Sequence, residues 1–135
     1  MPSPKIKVYS LETAIAEKFE AIVSLQLQTS RMKDFYDIHF IANNNEFNLI
    51  KLKKAIKTTF ENRSTKVEDS KYIFEEKFKE DVTKIEQWKS FVKRSDLEIE
   101  SSFSEVVEYF EKFIKPACGA HPQNKNWNPS KAIWK

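Results

Sequence analysis

Residues 5 to 115 contain neither proline nor glycine, because the five prolines stand at positions 2, 4, 116, 122 and 129 and the one glycine is Gly119. Those two residue types are the strongest helix interrupters, so a stretch that lacks both is predicted to be mostly helical. The same shortage excludes whole chemistries. Phosphate loops, dinucleotide-binding turns and nucleophile elbows need glycine to bring backbone against a ligand, and none can be built ahead of Gly119.

At 135 residues with 40% hydrophobic content, the chain suits one domain over 1–135 with a modest core. The single cysteine, Cys118, excludes a disulfide framework and a cysteine zinc site, and His39 and His121 lack metalloprotease spacing. One thiol points to a reducing cytoplasm. No window holds about 18 consecutive apolar residues, and the first residues lack the order of a signal peptide, so a membrane span or export is not expected.

Lys5-Ile6-Lys7-Val8-Tyr9 alternates polar and apolar and reads as a short strand. Ser10 can cap a first helix carrying Leu11, Ala14, Ile15, Ile22 and Leu25, to about residue 28. A second runs from 31 to about 42, ended by Asn43-Asn44-Asn45, and a third starts near Asn48 with Leu49, Leu52, Ile56 and Phe60. Polar residues 64 to 70 read as a loop. Tyr72, Phe74 and Phe78 predict a short helix, and Val82, Ile85, Trp88 and Val92 a longer one. Ser102 with Glu105 forms a capping box for the last helix, which Pro116 stops. Residues 117 to 135 read as an irregular tail that packs back through Trp127, Ile133 and Trp134. The expected fold is all-α, about six helices behind a short N-terminal strand.

Lys18 lies three residues after Ile15 and four before Ile22, which places it in the middle of the apolar stripe. It either snorkels past the edge or holds a positive charge in a cleft for an anion. On the nearly all-apolar second helix, Asp34 and Asp37 stand one turn apart. A buried carboxylate must pair, reach water or bind a cation. Lys33 can reach Asp37 and Arg31 can reach Asp34, so structural pairing alone satisfies both.

Tyr9-Ser10-Leu11-Glu12, then Ala16-Glu17-Lys18-Phe19, then Ser30-Arg31-Met32-Lys33-Asp34-Phe35-Tyr36-Asp37-Ile38 resemble C-terminal motifs of the AbiEii/AbiGii-type nucleotidyltransferase toxin family. The ending Trp127-Asn128-Pro129 through Trp134 is similar too. The resemblance implies the C-terminal helical part of a DNA-polymerase-β-like nucleotidyltransferase. Lys18 then matches the nucleotide-phosphate lysine, and Asp34 or Asp37 the carboxylate that orients the acceptor. Magnesium and a nucleoside triphosphate are implied for a complete family enzyme. This chain has neither the Gly-Ser turn nor the Asp-x-Asp pair of the catalytic half, so alone it is expected to bind no cofactor and to be inactive. It is expected to be a split protein or a truncation, partnered by a catalytic N-terminal half or upstream protein and by an antitoxin.

Lys51, Lys53, Lys54, Lys57, Arg63 and Lys66 crowd the third helix and its exit. Such a run is a solvated face or a phosphate-backbone contact, with Lys53, Lys54 and Lys57 the candidate RNA contacts. His39 reads as a packing residue and Cys118 as a small apolar filler. The rival to the enzyme reading is a non-catalytic helical module that binds an antitoxin, RNA or a nucleotidyltransferase partner.

Overall fold

The computed structural model describes residues 10–25, 32–119 and 123–135. Among them are six α-helices: α1 (Leu11–Leu25), α2 (Met32–Asn44), α3 (Leu49–Asn62), α4 (Glu76–Lys79), α5 (Val82–Arg94) and α6 (Phe103–Ile114). Two 3₁₀ segments, Val67–Phe74 and Lys115–Cys118, and three short strands, β1 (Phe47–Asn48), β2 (Asn126–Asn128) and β3 (Ile133–Trp134), complete the order. The fold is mostly all-α, as the sequence implies. The strand expected at 5–9 lies outside the described residues.

Side chains set the helix ends. The Ser10 hydroxyl accepts the Thr13 amide, Asn48 accepts the Lys51 amide and Asp81 the Lys84 amide, each satisfying an orphan N–H of a first turn. Ser102 and Glu105 form the reciprocal capping box of α6. At the end of α2, Asn43, Asn44 and Asn45 donate side-chain amides to the carbonyls of His39, Phe40 and Ile41. Past α3 and α5 the chain turns through Ser64 and Asp96, with φ of 55° and 53°. Glycine usually fills that left-handed position, and this stretch has none.

The core gathers on α6, whose inward stripe is Phe103, Val106, Val107, Phe110, Phe113 and Ile114. The Phe110 ring lies 5.6 Å from Phe19 of α1 and 5.2 Å from Phe35 of α2. Phe19 in turn meets Phe60 of α3 at 5.1 Å. Residues 64 to 70, read as a loop, run into the 3₁₀ segment: the Ser70 hydroxyl donates to the Val67 carbonyl, and Ile73 is buried. Tyr72 ties this segment to α1 by donating to the Ile22 carbonyl at 3.2 Å.

Part of the stretch read as an irregular tail forms a hairpin. β2 pairs antiparallel with both β1 and β3, setting Trp127 opposite Phe47 on one side and Trp134 on the other. Trp127 is buried, donates its indole N–H to the Ala42 carbonyl at 2.9 Å, and sits 4.9 Å from the Phe113 ring. Trp134 stacks on the same ring at 5.8 Å and donates to the Phe113 carbonyl. Trp127→Ala should therefore lower unfolding free energy by about 3–5 kcal/mol in chemical denaturation. A loss under about 1 kcal/mol would show that the indole is not a core residue.

His39 packs edge-on to Tyr109 at 4.6 Å, and its Nδ1 is buried without a hydrogen-bond partner among the described residues. Burial holds its pKa below the ordinary 6.5. The unfolded chain then binds this proton more readily, so stability should fall as pH drops below 6.5. Melting temperatures between about pH 5 and 8 should show this slope, and His39→Phe should flatten it.

Candidate functional site

Phe19 and Phe35 face Phe110, and each follows a charged motif residue, Lys18 and Asp34 respectively. Neighbours on a helix point about 100° apart, so burying the rings leaves the charges at the rim of the core, where α1 and α2 meet. Lys18 Nζ donates to Asp37 Oδ2 at 2.9 Å and lies 3.8 Å from Asp34 Oδ1. Lys33 Nζ donates to the same Asp37 oxygen at 2.8 Å. Four motif residues from two helices, Lys18, Lys33, Asp34 and Asp37, thus converge in one cluster.

Lys18 occupies the edge of the α1 stripe, not its middle: Ile15, Ala16, Phe19, Ile22 and Val23 are buried, while the Lys18 side chain keeps 28% of its surface in solvent. Its ammonium ends on carboxylates at the rim. The Asp34 side chain is 9% exposed and that of Asp37 20%. The expected Lys33–Asp37 pair is present, whereas Arg31, expected beside Asp34, lies outside the described residues. Burial alone would push the Asp37 carboxyl up, but hydrogen bonds from Lys33 and Lys18 and their charges outweigh it and hold the pKa below the ordinary 3.8. The hydrogen bond to Asp37 raises the Lys33 pKa in return.

Chemically, the cluster presents an ammonium fixed in place beside two carboxylates. The bond to Asp37 uses only one of the Lys18 N–H donors, which leaves it able to meet a second anion. Among the described residues no group of three or more His, Cys, Asp and Glu is placed to hold a metal, and both aspartates already face ammonium groups.

Lys53, Lys54 and Lys57 line two clefts. Lys53 and Lys57 line a cleft of about 420 Å³ with the turn after α3 and residues 117–119, where Lys53 donates to the Gly119 carbonyl. Lys54 lines another cleft with Lys51, beside Glu12 and Glu17 of α1.

Sequence reasoning passed over Glu20. This carboxylate is buried, accepts the Thr65 hydroxyl at 2.6 Å and pairs with Arg63 at 3.3 Å, tying α1 to the turn after α3. A helical projection puts it beside Ala16 and Val23, the signal that could have found it.

Carbon-detected titration should place the Asp37 carboxyl below 3.8 and move it up in Lys18→Met and in Lys33→Met. Because the folded value is depressed, the stability Asp37 supplies is present above 3.8 and lost as pH falls through the folded value. Asp37→Asn should lose less stability in acid than the parent chain.

A family profile described as the nucleotidyl transferase AbiEii toxin of a type IV toxin–antitoxin system matches residues 1–112. No match was found among curated proteins or among solved structures. No helix among the described residues is long and apolar enough to cross a membrane. With the profile covering most of its length and the motif residues of two helices gathered in one cluster, the chain belongs to the AbiEii nucleotidyl transferase toxin family.

Proposed function

We propose that Lys18 is the nucleotide-phosphate lysine and Asp34 the acceptor-orienting carboxylate of a nucleotidyltransferase toxin, with Asp37 holding Lys18 in position. The observation that carries this reading is the meeting of Lys18 with Asp37 at 2.9 Å and with Asp34 at 3.8 Å, across two helices. In nucleotidyl transfer an acceptor oxygen bonds to the α-phosphorus while the bond to pyrophosphate breaks, and negative charge builds on the phosphate oxygens. A fixed ammonium offsets that charge without reorganising. A neighbouring carboxylate accepts the hydrogen bond of the attacking hydroxyl and orients it. Asp37, engaged by two ammonium groups, suits the positioning role, and Asp34 is proposed for the acceptor on its place in the family motif.

The sequence contains no Asp-x-Asp pair, and its one glycine is followed by alanine, so a metal-binding component outside these residues is part of the proposal. A type IV toxin–antitoxin family also implies an antitoxin partner. Lys53 and Lys57, which share a cleft, are the proposed contacts for an RNA backbone, while Lys54 lies beside the acids of α1.

The test is transfer of labelled nucleotide. The purified chain should transfer none, and addition of a component carrying the Gly-Ser turn and Asp-x-Asp pair should restore transfer. In that mixture Lys18→Ala and Asp34→Asn should each cost about 100-fold or more in rate, with melting temperatures showing an intact fold. Equal rates with Lys18→Ala would remove the lysine from its role. Failure of every such component to restore transfer would leave the binding-module reading in its place.

A further inference from the structure

Phe40 is the only exposed aromatic ring among the described residues, with 55% of its surface in solvent. It is not loose. Its ring lies 6.2 Å from Tyr36 at an interplanar angle of 30°, and Tyr36 packs 6.1 Å from Phe91 of α5. Phe40 also shares a helical row with Lys33 and Asp37, at i, i+4 and i+7 of α2. Along that row, Lys33 and Phe40 stand about 10 Å apart. One end thus carries the ammonium cluster and the other a flat apolar face with a rigid backing.

That pairing matches a molecule with an anionic end and a flat aromatic end. A protein partner's helix calls for a broad apolar patch, yet the helical neighbours of Phe40 include Asp37, Asn43 and Asn44. A lone ring in polar surroundings suits one nucleobase, because every base offers a π face to stack on an aromatic side chain. We propose that Phe40, backed by Tyr36, is the stacking platform for the base of the nucleotide whose phosphates meet Lys18. This inference rests on the reading of Lys18 as the phosphate lysine.

Calorimetric titration of the full chain with each of the four ribonucleoside triphosphates, and with inorganic tripolyphosphate, separates the two claims. The Lys18 and Phe40 contacts are proposed to suffice for nucleotide binding by the chain alone, where the sequence reading expected none, and nucleotides should bind more tightly than tripolyphosphate. Phe40→Ala should weaken nucleotide binding about 5- to 150-fold and leave tripolyphosphate unchanged, whereas Lys18→Ala should weaken both. Phe40→Trp should restore nucleotide affinity and Phe40→Leu should not. Unchanged nucleotide affinity in Phe40→Ala, with Lys18→Ala still weakened, overturns the platform alone. An equal loss for nucleotide and tripolyphosphate in Phe40→Ala also overturns it. No binding of either probe to the parent chain, or no effect of Lys18→Ala, overturns the lysine reading and the platform with it.

Discussion

The ring of Phe110 is the contact on which the arrangement turns. It touches Phe19 of α1 at 5.6 Å and Phe35 of α2 at 5.2 Å, and through Phe19 it reaches Phe60 of α3. Aromatic pairs at such separations contribute about 0.5–1.5 kcal/mol each beyond the area they bury, and they prefer particular ring angles. They therefore fix how α1 and α2 are rotated as well as how closely they approach. Since Lys18 precedes Phe19 and Asp34 precedes Phe35, that rotation decides where the charged motif residues point.

Two consequences follow for the chemistry. The apolar cluster supplies most of the stability, so the ion pairs at its rim are free to serve position: an ammonium beside one buried and one partly exposed carboxylate adds little net stability but a defined geometry. Among the described residues the cluster sets two lysines against two aspartates. The proposed phosphate contact then falls to the remaining Lys18 donors, which places weight on the precision of the Lys18 position.

Long elements were legible because their signals are local. The absence of proline and glycine from 5 to 115, the Ser102–Glu105 capping box and the apolar stripe of α6 each specify helix without knowledge of distant contacts. β1 to β3 were not legible, since strands of two or three residues show no alternation, and Trp127 pairs with Phe47 from far along the chain. On α2 the nearly all-round apolar pattern gave no hint that Phe40 faces solvent, because composition does not say which side neighbours cover. The lysine run of α3 read as a solvated face or a phosphate contact, and its members line two clefts that the sequence does not separate. At the site, spacing along α2 exposed the Asp34 and Asp37 pair, but only the family resemblance joined it to Lys18, 19 residues before Asp37. That meeting depends on the Phe110 contacts, which no local pattern encodes.

The central claim is that core packing brings Lys18 and Asp37 together as a coupled pair across α1 and α2. A double-mutant cycle on unfolding free energy, with Lys18→Met, Asp37→Asn and the two combined, measures that coupling directly. A favourable coupling of about 1 kcal/mol is predicted for a pair that is partly buried and hydrogen-bonded. Additivity of the two substitutions within about 0.3 kcal/mol would contradict it and dissolve the site.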